Sequence, residues 1–552
     1  MKTHDVVNQA PEFDGYDLYA FDRALKASVN AEGADWADNA LSEFGRQLGN
    51  KESFDLGHLA NKFTPELNAF DARGFRADQV EFHPSYHHFM ALSKTEKIHV
   101  GSFESLAKNN NASGVGSGIV RAAKLYMVGQ VEAGHVCPIT MTHAAIPALM
   151  VEPDIADKWL PKIISTAYDP AFKPWYEKEG VTIGMGMTEK QGGTDVRTNT
   201  TTATPVATAG HGQVYEITGH KWFMSAPMCD AFLVLAQAEK GLSVFLIPRF
   251  KEDGQVNNLQ FQRLKNKLGN RSNASSEVEF HQAHGYLLGD EGRGIPNIMT
   301  MANFTRLDCA LGSAGQMRQA LHRAWHHISY RTVFNKKLID QPMMTALLAD
   351  LVLESEACTL LAMRLAGAYD KHHHGDKNAE QYARVMTPIA KYWVTKRAPE
   401  FAYEAMEIHG GNGYVEDGVM ARLYRDLPVN SIWEGSGNVM ALDLMRVMSQ
   451  EQEVFERFIQ DLSMSKGRNA IFDTALGELI ESLAVPIEPM QGRWLMERLA
   501  QLEAARLMMD RAPAVITESY IRTRLDGHFK GGTYGILPAG TPAAEIIGAA
   551  LG

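Results

Sequence analysis

The sequence predicts an α+β fold of several domains, and three observations carry that prediction. The chain has 552 residues, too many for one hydrophobic core and enough for roughly three to four domains or subdomains. Its hydrophobic periodicity changes twice: helical spacing runs to about Lys178, two-residue alternation begins near Thr182, and helical spacing returns beyond Gly294. An apolar fraction of 45% with 22% charged residues is the composition of a globular protein with a buried interior.

Residues 1–183 are expected to form an N-terminal helical domain. Leu125, Val128 and Val131, then Ile146, Leu149 and Met150, recur at helix-face spacing, with turns marked at Gly49-Asn50, Asn109–Gly118 and Pro170–Pro174. Residues 184–293 are expected to be a middle β domain. Val214–Thr218 and Lys221–Met224 read as two strands around a Gly219-His220 turn. Ala231–Ala236 and Leu242–Ile247 flank Glu239-Lys240-Gly241, a hairpin signal. Residues 294–448 return to helices. Leu347, Leu351, Cys358, Leu361 and Leu365 form one stripe of a long helix, and a second runs from Glu380 to Ile408, bent or restarted at Pro388 and Pro399. Residues 449–552 form a further helical extension with a tail carrying Gly531, Gly532, Gly535 and Gly540, read as loosely ordered.

Composition excludes several classes of function. No apolar run approaches a membrane span, and the polar start Met1–Asp5 has no signal-peptide core. Cys137, Cys229, Cys309 and Cys358 lie far apart without C-x-x-C spacing, which points to a reducing compartment, the cytoplasm by default. Net charge is −11, so there is no general attraction to nucleic acid. Gly114–Gly118 is glycine-rich but lacks a preceding strand and the third glycine of a phosphate loop. Adjacent His372, His373 and His374 cannot converge on a metal from one helix face and read as a solvated loop, so no metal site is expected.

The most chemically loaded stretch is Ser431-Ile432-Trp433-Glu434-Gly435-Ser436-Gly437-Asn438. Ile432 and Trp433 are expected to pack inward, and Gly435 and Gly437 to let the backbone turn tightly against a ligand. Asn438 then opens an apolar helical pattern as its cap. A carboxylate held against an indole is poorly solvated, which raises its proton affinity and suits a general base. Taken alone, the octapeptide also fits a partly exposed glutamate closing a turn.

Five motifs in order favour the first reading, because together they resemble the flavin-dependent acyl-CoA dehydrogenases. Met187–Asp195 resembles that family's M-T-E-x-x-x-G-S-D stretch at the entrance to its β domain. The resemblance implies that Thr188 and Thr194 supply hydroxyls, and Met185–Met187 and Gly193 backbone, around an FAD ring. Gly219–Ser225 looks like the G-x-K-x-W-I-T/S strand. Ser225 is then the hydroxyl near flavin N5, and Trp222 or Phe223 the aromatic packed on the ring. Arg331-Thr332-Val333-Phe334 resembles the R-x-x-F pair that reaches the cofactor of a neighbouring subunit, with Asn335 in place of the usual Gly. Ile408–Tyr414 matches a glycine turn ahead of the catalytic loop. The octapeptide matches I-Y-E-G-T-x-Q, which makes Glu434 the base, gives Ile432, Trp433, Gly435 and Ser436 contacts with the cofactor, and puts Asn438 at a cofactor-binding position.

The same resemblance implies a layout of N-terminal helical domain, middle β-barrel, C-terminal four-helix bundle and an extra C-terminal helical domain. It implies α,β-dehydrogenation of an acyl-CoA, an electron-transfer flavoprotein as acceptor, and a homotetramer. Thr305 holds the place of the base found in some branches on the preceding helix, leaving Glu434 alone in that role. Arg306 matches an arginine near the active site, although its usual acidic partner is replaced by Asn303 and Phe304. Met187–Gly193, Lys267–Ala274 and Cys137–Thr142 further resemble the AidB-type branch, flavoproteins of the adaptive response to alkylation. That branch implies an alternative, binding or protection of double-stranded DNA with weak turnover. Residues 450–552 hold 10 Lys+Arg against 14 Asp+Glu, a poor balance for tracking phosphates, though Arg493, Arg498, Arg506, Arg511, Arg522 and Arg524 suggest a basic helical edge.

Overall fold

The computed structural model describes residues 3–107, 116–527 and 532–552. Of the stretches singled out above, Asn109–Asn111, Gly114, Val115 and Gly531 lie outside them. Helices α1 (Arg23–Ala31), α2 (Asp38–Leu48) and α3 (Lys51–Lys62) precede strands β1 (Glu66–Phe70) and β2 (Arg76–Glu81). Next come α4 (Pro84–Thr95), α5 (Ser117–Val131), α6 (Val136–Leu149) and α7 (Pro153–Ile163). The middle block holds β3 (Ile183–Gly186), β4 (Thr202–Pro205), β5 (Val214–Ser225), β6 (Ala231–Ala238), β7 (Gly241–Pro248), β8 (Leu259–Leu264) and β9 (Ser275–Leu287). It is succeeded by α8 (Gly294–Tyr330), β10 (Thr332–Val333), β11 (Lys336–Lys337), α9 (Pro342–His373), α10 (Lys377–Ile408), α11 (Gly411–Tyr414) and α12 (Val419–Asp426). The chain ends with α13 (Gly437–Gln450), α14 (Gln452–Ser463), α15 (Ala470–Leu483), α16 (Gly492–Arg511), α17 (Ala514–Arg524) and α18 (Ala543–Leu551). Among the described residues no helix is long and apolar enough to cross a membrane.

These elements gather into two compact units that differ from the four segments read from sequence: Asp55–Gly114 with Glu132–Thr305, and the remainder, including Arg306–Gly552. The first unit is built on a seven-stranded sheet in the order β3-β6-β4-β5-β9-β7, with β8 on β9 and a β6–β7 pairing that closes the ring. The ring is the barrel expected for residues 184–293. Strand β6 is buried along most of its length, as a run of Ala, Phe, Leu and Val enclosed on both faces should be. Ile146 of α6 and Trp159 of α7 join its core.

Two expectations for this unit need correction. The segment read as wholly helical contains the β1–β2 hairpin, closed by Asp71–Gly74 with Gly74 at φ +88. Its strands alternate mostly polar residues, so helical and strand patterns are hard to separate there. Gly219-His220 is not a turn either. β5 runs straight through it, paired with β9, with register shifts at Ile217/Thr218 and Lys221/Met224. Gly219 sits at φ +149, where a Cβ would lie 2.5 Å from Thr201 Oγ1; in a strand, such a glycine marks irregular pairing and a close approach.

The second unit is helical. α9 and α10 pack along each other, and α5, α13, α16 and α18 add to that pair. Its interior is stitched by charge: Arg318 lies 3.1 Å from Asp22 and 3.2 Å from Glu356, all without solvent exposure, and Arg121 donates to Asp308 at 2.6 Å. Three corrections belong here. α10 continues unbroken through Pro388 and Pro399, because packing against α9, α12, α13 and α16 outweighs the lost hydrogen bonds. His372 and His373 close α9 rather than forming a loop. The tail is not loose throughout, since α18 buries Ile546, Ile547, Ala550 and Leu551 and packs on α9.

Candidate active site

Each unit assembles part of the expected machinery. In the helical unit, the short run Leu427–Ser431 delivers the chain to Glu434, which adopts φ +59. A left-handed conformation costs a residue with a Cβ about 1 kcal/mol or more, so something must hold it. Arg306 Nε donates to the Glu434 carbonyl at 3.0 Å. Lys391, from the middle of α10, donates Nζ to the Trp433 carbonyl at 2.9 Å and also to the Gly435 carbonyl. Three successive carbonyls of the turn are thereby tied to buried cations. Gly435 comes next at φ +103, where a Cβ would meet Met440 Cε at 2.6 Å, so the sequence needs glycine there.

Arg306 is held in turn. Its Nη1 donates to Asp443 Oδ2 at 2.9 Å, and both side chains are nearly buried. The acid that Asn303 and Phe304 fail to supply thus comes from α13. Arg384 approaches the other oxygen of Asp443 at 3.3 Å. Burial lowers the Lys391 ammonium to about 8, against the stabilising charges of Cys309 and Glu434. Burial also pushes the Cys309 thiol up to about 12. Thr305 Oγ1 donates to the Ala302 carbonyl at 2.9 Å and carries no carboxylate.

The octapeptide departs from expectation at two positions. Trp433 is half-buried, but Ile432 is 66% exposed and does not pack inward. Asn438 is not the cap. α13 starts at Gly437 behind Ser436, and the side-chain oxygen Oδ1 of Asn438 accepts from Arg493 Nε at 2.8 Å. Arg331 and Phe334 lie elsewhere in this unit, on the β10–β11 hairpin. Arg331 donates to the Asn8 carbonyl at 2.6 Å. Phe334 and Asn335 have φ of +50 and +62, the paired positive values of a two-residue hairpin turn, and Phe334 is 91% exposed.

In the barrel unit, β3 and the segment after it carry Met185, Met187 and Thr188. The Thr188 carbonyl accepts from Trp222 N at 2.8 Å, and the Met187 carbonyl from Asn199 Nδ2 at 2.9 Å. A fully buried ion pair fixes this motif to β5: Glu189 and Lys221 meet at 2.8 Å, and Glu189 also accepts from Thr200 N at 2.7 Å. Burial alone would raise the Glu189 carboxyl, but Lys221 and the Thr200 amide hold it well below the usual range.

Trp222 and Phe223 differ sharply in surroundings. Lys265 Nζ sits 3.2 Å from the Trp222 ring centroid, with Arg263 and Lys190 at 5.6 and 5.8 Å. Phe223 is 49% exposed, and the same Lys265 Nζ lies 4.6 Å from its centroid. Ser225 Oγ lies 3.2 Å from Ser275 Oγ. At Gly193 a Cβ would stand 2.3 Å from Thr188 Oγ1, so only bare backbone fits beside that hydroxyl, while Thr194 is exposed. Hydroxyls, bare backbone and an open aromatic ring are the donors and stacking surface a flavin ring needs; the residues fit the group.

Sequence reading missed Lys391 and Asp443. Their signal was a lysine inside Ile389–Val394 and an aspartate within Met440–Leu444, charges set in otherwise apolar helical stretches.

Comparison with known proteins gives three family matches. Residues 8–170 match the adaptive response protein AidB N-terminal domain, residues 184–283 the acyl-CoA dehydrogenase middle domain, and residues 292–449 the acyl-CoA dehydrogenase C-terminal domain. The putative acyl-CoA dehydrogenase AidB of Escherichia coli K12 is 44% identical over 526 residues, covering 95% of each chain. The crystal structure of Caenorhabditis elegans ACDH-11 in complex with C11-CoA superposes with TM-score 0.84 at 25% identity, covering 95% of this chain and 94% of the other. A Bacillus anthracis acyl-CoA dehydrogenase complexed with FAD shares the fold at TM-score 0.63 and 16% identity, covering 79% of each chain.

Proposed function

The chain belongs to the acyl-CoA dehydrogenase family, with an AidB-type N-terminal domain, and from that premise we propose that it α,β-dehydrogenates an acyl-CoA thioester with FAD as cofactor. One observation carries the reading: a single carboxylate, Glu434, held in a left-handed turn by Arg306 and Lys391. A general base must be fixed within reach of the proton it takes, and the cations on the flanking carbonyls supply that fixity. Glu434 takes the Cα proton, and its own backbone N–H donates to the thioester oxygen as negative charge develops there. Lys391 and Arg306 are positioning residues. The Glu434 charge in turn favours the ammonium form of Lys391.

FAD, when bound, supplies the acceptor for the hydride that leaves Cβ. Thr188, Thr194, Ser225, Gly193 and the Met185–Met187 backbone hold its ring. Phe223, whose ring is half exposed, would stack on it, with Lys265 farther from its centroid (4.6 Å) than from that of Trp222 (3.2 Å). Ile432, Trp433, Gly435, Ser436 and Asn438 complete the contacts, and Arg331 with Phe334 reaches the cofactor of another copy within a homotetramer. An electron-transfer flavoprotein or oxygen then reoxidises it.

The alternative, double-stranded DNA binding in an alkylation response, draws little support from the arginines proposed for it: Arg493 and Arg522 are exposed and face Asn438 Oδ1 and the Ala539 carbonyl, but the other four are paired with acids. Arg506 pairs with Glu503 and Arg511 with Glu32, each at 2.6 Å. Arg524 pairs with Asp350 at 2.6 Å, and Arg498 with Glu478 at 3.5 Å. Engaged cations release few counterions from a duplex.

Anaerobic titration of the flavin-loaded protein with acyl-CoAs of graded length tests the reading. The visible flavin absorbance is expected to bleach with one length class. A yellow protein that no acyl-CoA bleaches would remove the dehydrogenase.

A further inference from the structure

A cavity of about 290 Å³ lies inside the barrel unit, where the end of β2, α4, the first turn of α6 and the loop between β5 and β6 meet. Its lining belongs wholly to that unit, and none of it is assigned above to the flavin or the substrate. Aromatic rings form much of the wall. Phe82 and Tyr86 stack with centroids 4.2 Å apart and planes 14° from parallel. Phe172 joins them, and the thioethers of Met90 and Met228 add soft, polarisable surface. Walls of this kind suit a planar aromatic body.

A second, independent feature is two hydrogen-bond donors left over in the same wall. Tyr86 is 4% exposed, burial keeps its phenol protonated, and its hydroxyl has no hydrogen-bond partner among the described residues. Beside it, His87 Nδ1 and the Tyr168 hydroxyl lie 2.7 Å apart. Burial lowers the imidazole and raises the phenol, so the neutral pair carries two hydrogens, one on each ring. One is used between the rings, and in either histidine tautomer the other remains to donate. Donors shut away from water need an acceptor.

The charges of the lining disfavour an ionic ligand. Among the described residues no lysine or arginine lines the cavity. Its carboxylates are Glu81, exposed to solvent, and Asp169, held by Lys173 at 2.8 Å. An anion would meet these two acids with no cation to receive it, and a cation would bring nothing for the two donors to bond.

We infer that this cavity binds a small neutral aromatic molecule bearing a carbonyl oxygen. The ring lies against Phe82, Tyr86 and Phe172. The two lone pairs of the oxygen accept from the Tyr86 hydroxyl and from the His87–Tyr168 pair. The inference does not depend on the dehydrogenation reading, because none of these residues takes part in it.

Equilibrium dialysis of the full-length protein against three bicyclic probes tests it. Coumarin, a neutral arene with a ring carbonyl, is expected to bind saturably. Naphthalene, which lacks the oxygen, should bind several-fold more weakly, and 2-naphthoate, of similar shape but anionic, should not bind. Tyr86→Phe removes one hydroxyl and keeps the ring, so it should weaken coumarin roughly five- to tenfold while naphthalene binding and the melting temperature stay unchanged. Absence of saturable coumarin binding, equal binding of naphthalene or of the naphthoate, or unchanged coumarin affinity in Tyr86→Phe overturns the proposal.

Discussion

At the residue scale the decisive group is Lys391 rather than the glutamate beside which it lies. A buried lysine is costly unless its three donors are used, and here two go to the carbonyls of Trp433 and Gly435. Lys391→Met keeps the volume and removes the donors, leaving two carbonyls at about 1–3 kcal/mol each. The expected outcome is a lower melting temperature together with a fall in the bleaching rate of roughly tenfold or more, while acyl-CoA affinity changes little. An unchanged rate would show that the turn holds itself. The tight turn at Glu434-Gly435 was legible because the residues that mark it are contiguous in sequence. Lys391 and Asp443 were not, since their partners lie 42–44 residues away for Lys391 and 137 for Asp443, and one sequence shows no tertiary pairing.

Among the elements, the turn that leads into α6 shows how a single carboxylate can fix several segments. Glu132 accepts from His135 N at 2.8 Å, Gly134 N at 3.0 Å, Asn61 Nδ2 at 3.1 Å and Ser272 Oγ at 2.5 Å. Burial alone would raise its carboxyl, but His135 and Ser272 bring it from 4.5 down to about 2. Between these values the unfolded chain binds a proton that the folded chain does not, so this stabilisation is full above about 4.5 and is lost as pH falls through about 2. Acid unfolding monitored by circular dichroism should therefore be less steep over that range in Glu132→Gln than in the parent, and superimposable profiles would refute the role. The β6–β7 hairpin, with its apolar strands and short connection, was readable from sequence. The β1–β2 hairpin was not, because its apolar residues, Leu67, Ala69, Phe70, Ala77 and Val80, are set among at least as many polar ones in two short strands, and Gly219 looked like a turn because close approach to Thr201 cannot be seen along one strand.

For the whole molecule, the domain order helical, β, helical was carried by periodicity alone, while the two compact units were not, because chain segments far apart in sequence combine in each. The proposed homotetramer would give Phe334 a use: an aromatic at positive φ and almost fully exposed is strained and poorly placed unless something receives it. Phe334→Asp should lower bound FAD per chain and shift the light-scattering mass below four times 61.1 kDa. Unchanged mass and flavin content would confine the hairpin to a single copy.

The most direct test compares the parent with Glu434→Gln, both loaded with FAD, during anaerobic addition of the acyl-CoA that bleaches the parent best. The variant should stay yellow, with its flavin bound and its spectrum at most perturbed by the ligand. Full bleaching of the variant at the parent's rate would contradict Glu434 as the base.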